Sequence, residues 1–153
     1  MKSIKPIPIV IRRLVKKIIK ENDKKPCKCE SAYDINNGLC CEFAEELINI
    51  LFGEETDDHY ILSTDMFVQD SYEDLVDLWG ADDLLRTEGG GAWSKKMLSI
   101  HTTPPVKDIR KIEYLNHHEW VCIDKKYYDA ECPEGVNTPW DLPIFQKFFK
   151  DYQ

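Results

Sequence analysis

The sequence predicts a single-domain α+β fold, and three observations carry that expectation. The chain has 153 residues, the usual size of one domain. Its first third is dominated by segments of helical periodicity. Its last third holds alternating apolar segments broken by turn residues. Helices first and strands later argue for α+β.

The elements follow in order. In IPIVIRRLVKKIIKEN, Ile7, Ile11, Leu14, Val15 and Ile18 share one helical face, and Arg12, Arg13, Lys16, Lys17 and Lys20 share the other. This is a basic amphipathic helix within residues 1–25, ended by ENDKKP and Pro26. CKCESAYDINNG reads as an irregular connector. Gly38 to Phe52 reads as a second helix closed by Gly53. EETDDH is a loop, and HYILSTDMFV contains a strand. SYEDLVDLWGADDLLR reads as helix with Ser71 as N-cap. TEGGGAW is a loop of structural or gating type. It is no phosphate loop, because no GK[ST] follows the glycines. Lys96 to Thr103 and Lys107 to Tyr114 are strand candidates before and after Pro104-Pro105.

The last third is the most legible. HEWVCI, DKK and YYDAE form a strand, a turn and a strand, so a β-hairpin. ECPEGVNTPWDLP is a loop punctuated by proline and glycine. Asp141 is placed to cap a C-terminal helix over LPIFQKFFKDY.

The net charge is −8 and is unevenly spread. Met1 to Lys25 carries nine Lys/Arg and two acids, so the remainder carries −15. An acidic body argues against nucleic acid as a partner, because phosphate contacts need Lys and Arg. The basic helix of residues 1–25 has two uses: it docks on the acidic body, or it binds an acidic partner or a membrane surface. Arg12-Arg13 and Lys16-Lys17 interrupt any signal-like apolar run, and no run approaches a membrane span. The six cysteines are therefore expected to be reduced, in a cytoplasmic protein.

The chemistry centres on NNGLCCEFAEELI. On a helical wheel Cys40 lies with Phe43, Ala44, Leu47 and Leu51, whereas Cys41 lies to the flank with Glu45. Cys40 thus points inward, at a helix start where unpaired N–H groups favour a thiolate. The bland reading is a small buried hydrophobe. A thiol also needs a base. His118, Trp120 and Cys122 share one strand face, with His117, Glu119 and Val121 on the other. With a two-residue turn at Asp124-Lys125, Ile123 faces Lys126 and Trp120 faces Asp129. Asp129 is then the diagonal neighbour of His118, roughly 7–8 Å away at Cα. Cys27-x-Cys29 with Cys40-Cys41 offers a rival zinc set, but the spacing is uncommon and no metal or other cofactor is expected.

Those residues resemble a known superfamily. Gly38 to Ala44, GLCCEFA, resembles the G-x-C-x-x-F-[AS] signature around the nucleophile of papain-like cysteine peptidases. His118-Glu119-Trp120-Val121 followed by Tyr127-Tyr128-Asp129-Ala130 is similar to the histidine and aspartate strands of its transglutaminase-like branch. YYDAECPEGV also resembles uncharacterised phage and bacterial proteins with the pattern H-x-W…YDAE-x-P-x-G-V. The resemblance implies a papain/transglutaminase-like fold over residues 26–153. A nucleophile-bearing helix would pack on an antiparallel sheet, with the amphipathic helix as an extra. It implies Cys40 as nucleophile, His118 as base and Asp129 as the residue orienting the imidazole. The activity would be that of a cysteine hydrolase or acyltransferase, acting on an amide or isopeptide bond of a protein or peptide substrate. Oxyanion donors would be the Cys40 backbone N–H and a side chain of Asn36 or Asn37. Asp34, six residues before Cys40, cannot donate when ionised. The alternatives are a catalytically inactive relative, or an acidic phage-type inhibitor that binds a host partner.

Overall fold

The computed structural model describes residues 6–22, 29–69, 72–95, 106–112, 115 and 117–152. In chain order the helices are α1 (Ile7–Asn22), α2 (Ala32–Gly38), α3 (Cys40–Phe52), α4 (Tyr72–Trp79) and α5 (Pro143–Phe149). The strands are β1 (His59–Ser63), β2 (Val68–Gln69), β3 (Leu84–Arg86), β4 (Ala92–Ser94), β5 (Glu119–Ile123), β6 (Lys126–Asp129) and β7 (Cys132–Val136). The coarse α+β expectation stands, with mostly antiparallel sheet. The chain divides into two units, Met1–Leu62 with His118–Asn137, and Ser63–His117 with Thr138–Gln153.

In the first unit the sheet order is β1-β5-β6-β7. Helix α1 buries Val10, Ile11, Leu14 and Ile18 in a core shared with Ile35, Phe43, Ala44, Leu47, Val121 and Ile123. Its basic face is engaged too. Arg12 bonds Glu134 at 2.6 Å, and Lys17 bonds Glu46. Of the two uses open to the amphipathic helix, the structure has the internal one, and α1 belongs to this unit. Among the described residues no helix is long and apolar enough to cross a membrane. Pro26 and Cys27 lie outside the described residues.

The expected connector before α3 is instead a short helix. Ser31 is the N-cap of α2, accepting from the Asp34 N–H, and the Asp34 carboxylate accepts from the Ser31 N–H. This is a capping box with Asp in place of the usual Glu. Helix α3 starts at Cys40 rather than Gly38, because Leu39 leaves the helical region (φ −126°, ψ 22°) and separates the two helices. Gly53 closes α3 at φ 81°, a conformation that favours glycine, and its N–H reaches the carbonyls of Ile48 and Asn49.

The β5–β6 hairpin has the expected register: Ile123 pairs Lys126, Cys122 pairs Tyr127 and Val121 pairs Tyr128. Asp124 (φ 48°) and Lys125 (φ 68°) are both left-handed, as a two-residue type I′ turn requires. Lysine is poorly suited to that region. Lys125→Gly is expected to raise stability by about 0.5–1 kcal/mol, the left-handed strain less the glycine entropy cost. A higher urea midpoint at unchanged slope would register it.

The expected loop ECPEGV is strand β7. Asp129 pairs Cys132 and Tyr127 pairs Val136, so Pro133, Glu134 and Gly135 bulge opposite Tyr128 alone. Gly135 has φ 73°, and a Cβ there would sit 2.6 Å from the Tyr128 ring. Proline and glycine argue against strand in the sequence, but β7 is the sheet edge, where both are tolerated.

The second unit contains a three-stranded antiparallel sheet, β2-β4-β3. Here the long helix expected over SYEDLVDLWGADDLLR ends at Trp79. Gly80 (φ 84°) breaks it, and Leu84–Arg86 becomes strand. Ser71 lies outside the described residues, as do Lys96–Thr103. The glycine loop is the β3–β4 turn, closed by the Thr87 N–H to the Gly91 carbonyl at 2.9 Å. Ile109–Lys111 is a 3-10 turn capped by Asp108, not the strand expected from Lys107. Asp141 is no helix cap: Thr138 caps a 3-10 turn over Pro139–Asp141, and Leu142 precedes α5 without a side-chain bond. Pro143 in the first turn supplies the helix start. Trp93, Trp140, Phe145 and Phe149 form the aromatic core of this unit.

Candidate active site

All the residues expected to carry the chemistry fall in the first unit. Cys40 is the first residue of α3 and is 6% exposed. Its inward direction follows from the buried face it shares with Phe43, Ala44 and Leu47. Helix α3 packs on β5 and β6, which brings the helix start to the strand that follows His118. His118 and Asp129 are fully buried.

Two of the three side chains are bonded directly. His118 Nε2 lies 3.1 Å from Asp129 Oδ2. An ionised carboxylate only accepts, so Nε2 carries the donated proton and Nδ1 is the nitrogen left for Cys40. The other Asp129 oxygen, Oδ1, accepts from the Glu131 N–H at 3.0 Å. This is an Asx turn built by the local sequence Asp-Ala-Glu, and it fixes the carboxylate plane. Trp120 stacks beside His118 at 6.0 Å between ring centroids.

The electrostatics follow from these contacts. Burial pushes the Cys40 thiol up. Hydrogen bonding to His118, the Glu119 N–H and the His118 charge outweigh burial, so its pKa lies below the ordinary 9.0. Burial pushes the His118 imidazolium down. The Asp129 bond and the Cys40 interaction overcome that and raise it to about 9. Both shifts favour a thiolate–imidazolium pair over a neutral pair. Cys41 moves the other way. A hydrogen bond with the Glu119 side chain, then burial and the neighbouring Cys40 charge, raise it to about 12. One cysteine of the adjacent pair is thus poised as thiolate and the other held as thiol.

The sulfurs of Cys40 and Cys41 and a Glu119 carboxylate oxygen lie within 4.8 Å of one another. A soft cation would need both thiolates there. Of the rival zinc set, Cys29 is buried in the core with its thiol 3.8 Å from the Ser31 carbonyl.

Both asparagines have one side-chain N–H engaged, and each amide nitrogen carries two. Asn37 Nδ2 donates to the Tyr33 carbonyl at 2.8 Å, and Asn36 Nδ2 donates to Glu131 Oε1 at 2.9 Å. Asp34 serves the α2 cap. Backbone donors also stand at the start of α3, where the N-cap residue Leu39 makes no side-chain capping bond.

Two residues escaped the sequence analysis. Glu119 acts through its N–H on Cys40 and through its side chain on Cys41. Alternation sets Glu119 on the face of Val121, which packs in the core with Phe43 and Leu47 of α3, but spacing alone does not say that it reaches the start of that helix. Glu131 was treated as a loop residue; its signal was the Asp-x-Glu spacing of an Asx turn. Compared with known proteins, the chain has no match among family models, curated proteins or solved structures.

Proposed function

We propose that the first unit is a cysteine hydrolase or acyltransferase of papain/transglutaminase-like character, with Cys40 as nucleophile, His118 as base and Asp129 as its orienting residue. The observation that carries this reading is the fully buried His118–Asp129 bond, with Cys40 at the start of the helix that packs on the strand following His118. The Cys40 thiolate attacks an amide or isopeptide carbonyl carbon, forming an S–C bond. First-turn N–H groups of α3 receive the oxyanion. The imidazolium gives its proton to the leaving amine as the C–N bond breaks. Water or a second amine, deprotonated by His118, then cleaves the thioester and restores the thiolate–imidazolium pair. Substrate is a protein or peptide, and the compartment is the cytoplasm.

Iodoacetamide labelling at about pH 6, read at each cysteine by peptide mass, tests the reading. An ordinary thiol is almost wholly protonated there. Cys40 is expected to label at least about tenfold faster than Cys41, whose pKa of about 12 keeps it inert. His118→Ala should remove the advantage. Equal, slow labelling of both in folded protein would sink the proposal.

A second reading, a catalytically inactive relative that acts by binding, draws on the low exposure of Cys40. Cys40→Ser separates the two. It removes the thiolate and leaves a binding surface nearly unchanged, so a binding protein keeps its phenotype.

A further inference from the structure

Asn36 is a polar side chain only 1% exposed. Its Nδ2 donates to Glu131 Oε1, and its Oδ1 is buried with no hydrogen-bond partner among the described residues. An unsatisfied buried amide oxygen costs about 1–3 kcal/mol. An apolar side chain at this position would avoid that cost. The asset that offsets it is the bond to Glu131, across 95 residues of sequence.

That bond joins the two halves of the candidate site. Asn36 lies in α2, with three residues between it and Cys40. Glu131 lies in the β6–β7 turn, and its own N–H holds Asp129 Oδ1. Asp129 Oδ2 in turn meets His118. The hydrogen-bonded series therefore runs Asn36, Glu131, Asp129, His118, and it begins on the α2–α3 segment that also carries Cys40. A side chain that fixes Glu131 fixes the turn, and the turn fixes the carboxylate plane.

We propose that Asn36 and Glu131 form a positioning pair that sets the Asp129 carboxylate, and through it the His118 imidazole, against Cys40. The inference rests on the reading of Cys40, His118 and Asp129 as a reactive set. Neither residue touches substrate; both act through Asp129. Charge on Glu131 is not required, because a neutral amide oxygen accepts from Asn36 equally well. What matters is one donor facing one acceptor.

A swap of donor and acceptor tests the pair, read as the Cys40 iodoacetamide rate between pH 5 and 9. Asn36→Asp sets a carboxylate against a carboxylate. It should slow Cys40 labelling at pH 6 about tenfold and move the rise of the profile to higher pH. Glu131→Gln keeps an acceptor and should stay within about twofold of wild type. In the double variant N36D/E131Q the amide of residue 131 donates to the carboxylate of residue 36, and the rate should recover to within about threefold. A purely structural role for Asn36 would leave the profile's midpoint unmoved. If Asn36→Asp does not fold, Glu131→Ala gives the same readout, with a tenfold loss expected. Wild-type rates in Asn36→Asp or Glu131→Ala, or a double variant as slow as Asn36→Asp, would overturn the pair while leaving the reactive set standing. Slow Cys40 labelling in the wild-type protein would instead remove the reading beneath it.

Discussion

Asp129→Asn is expected to slow Cys40 alkylation at pH 6 by about two orders of magnitude, and Asp129→Ala by at least as much. In the native site the Asp129 bond is the largest favourable influence holding the His118 imidazolium, and burial opposes it. With the carboxylate gone, burial dominates. The imidazolium pKa should then fall from about 9 to below the ordinary 6.5. That loss is about 3 kcal/mol, roughly a hundredfold in the population of the thiolate–imidazolium pair. Asparagine can still accept from Nε2, but it cannot also accept from the Glu131 N–H at the same oxygen, so one of two bonds is lost. Alanine leaves both donors buried without partners. It should also lower stability by about 3 kcal/mol or more, as when one partner of a buried pair is removed. Proton NMR titration of the His118 ring checks the cause directly. A ring pKa that stays near 9 in Asp129→Asn would show that the carboxylate is not what raises it.

How much of this was legible in the sequence depends on the range of the information. Strand β5, strand β6 and their turn were readable because a two-residue connection fixes register, and register fixes faces. That is why the sequence alone pairs Asp129 with His118. Helix α1 and the inward face of α3 were readable for a similar reason: periodicity over three or more turns leaves little choice of face. The short elements were not readable. Helix α2 has seven residues, and its start is written only in the Ser31–Asp34 box. Strand β7 is disguised by Pro133 and Gly135, whose tolerance at a sheet edge depends on which strands neighbour it. The α4 segment looked helical through Arg86 because nothing local announces that Leu84 will pair with Ser94. The partners of Asn36 and Asn37 were unreadable for the same reason. A side chain's capacity to donate is local, but who accepts is decided by packing, here by a turn 95 residues away.

Cys40→Ala should make the stability of the protein fall more steeply with rising pH, between about pH 6.5 and 9, than it does in the wild type. The sign follows group by group. His118 has a folded pKa of about 9, raised above its ordinary 6.5. Its contribution is therefore complete below pH 6.5 and is lost as pH rises through about 9. Cys40 has a folded pKa below its ordinary 9.0. Its contribution is complete above pH 9.0 and is lost as pH falls through the lowered value. As pH rises toward 9 the imidazolium contribution shrinks while the thiolate contribution grows, so the two offset each other. The thiolate contribution is lost as pH falls through the lowered Cys40 value, so wild-type stability should drop toward acid. Cys40→Ala keeps the Asp129 bond that raises the imidazolium but has no thiol to compensate. Its stability should decline from pH 6.5 upward by about 2 kcal/mol, within the limit of about 1.4 kcal/mol per pH unit for one proton. Urea unfolding of both proteins from pH 5 to 9.5 measures this, and titrations elsewhere in the chain cancel in the difference. Diverging profiles between pH 6.5 and 9 would establish that thiol and imidazole titrate as a pair; parallel profiles there would mean that Cys40 is an ordinary buried thiol.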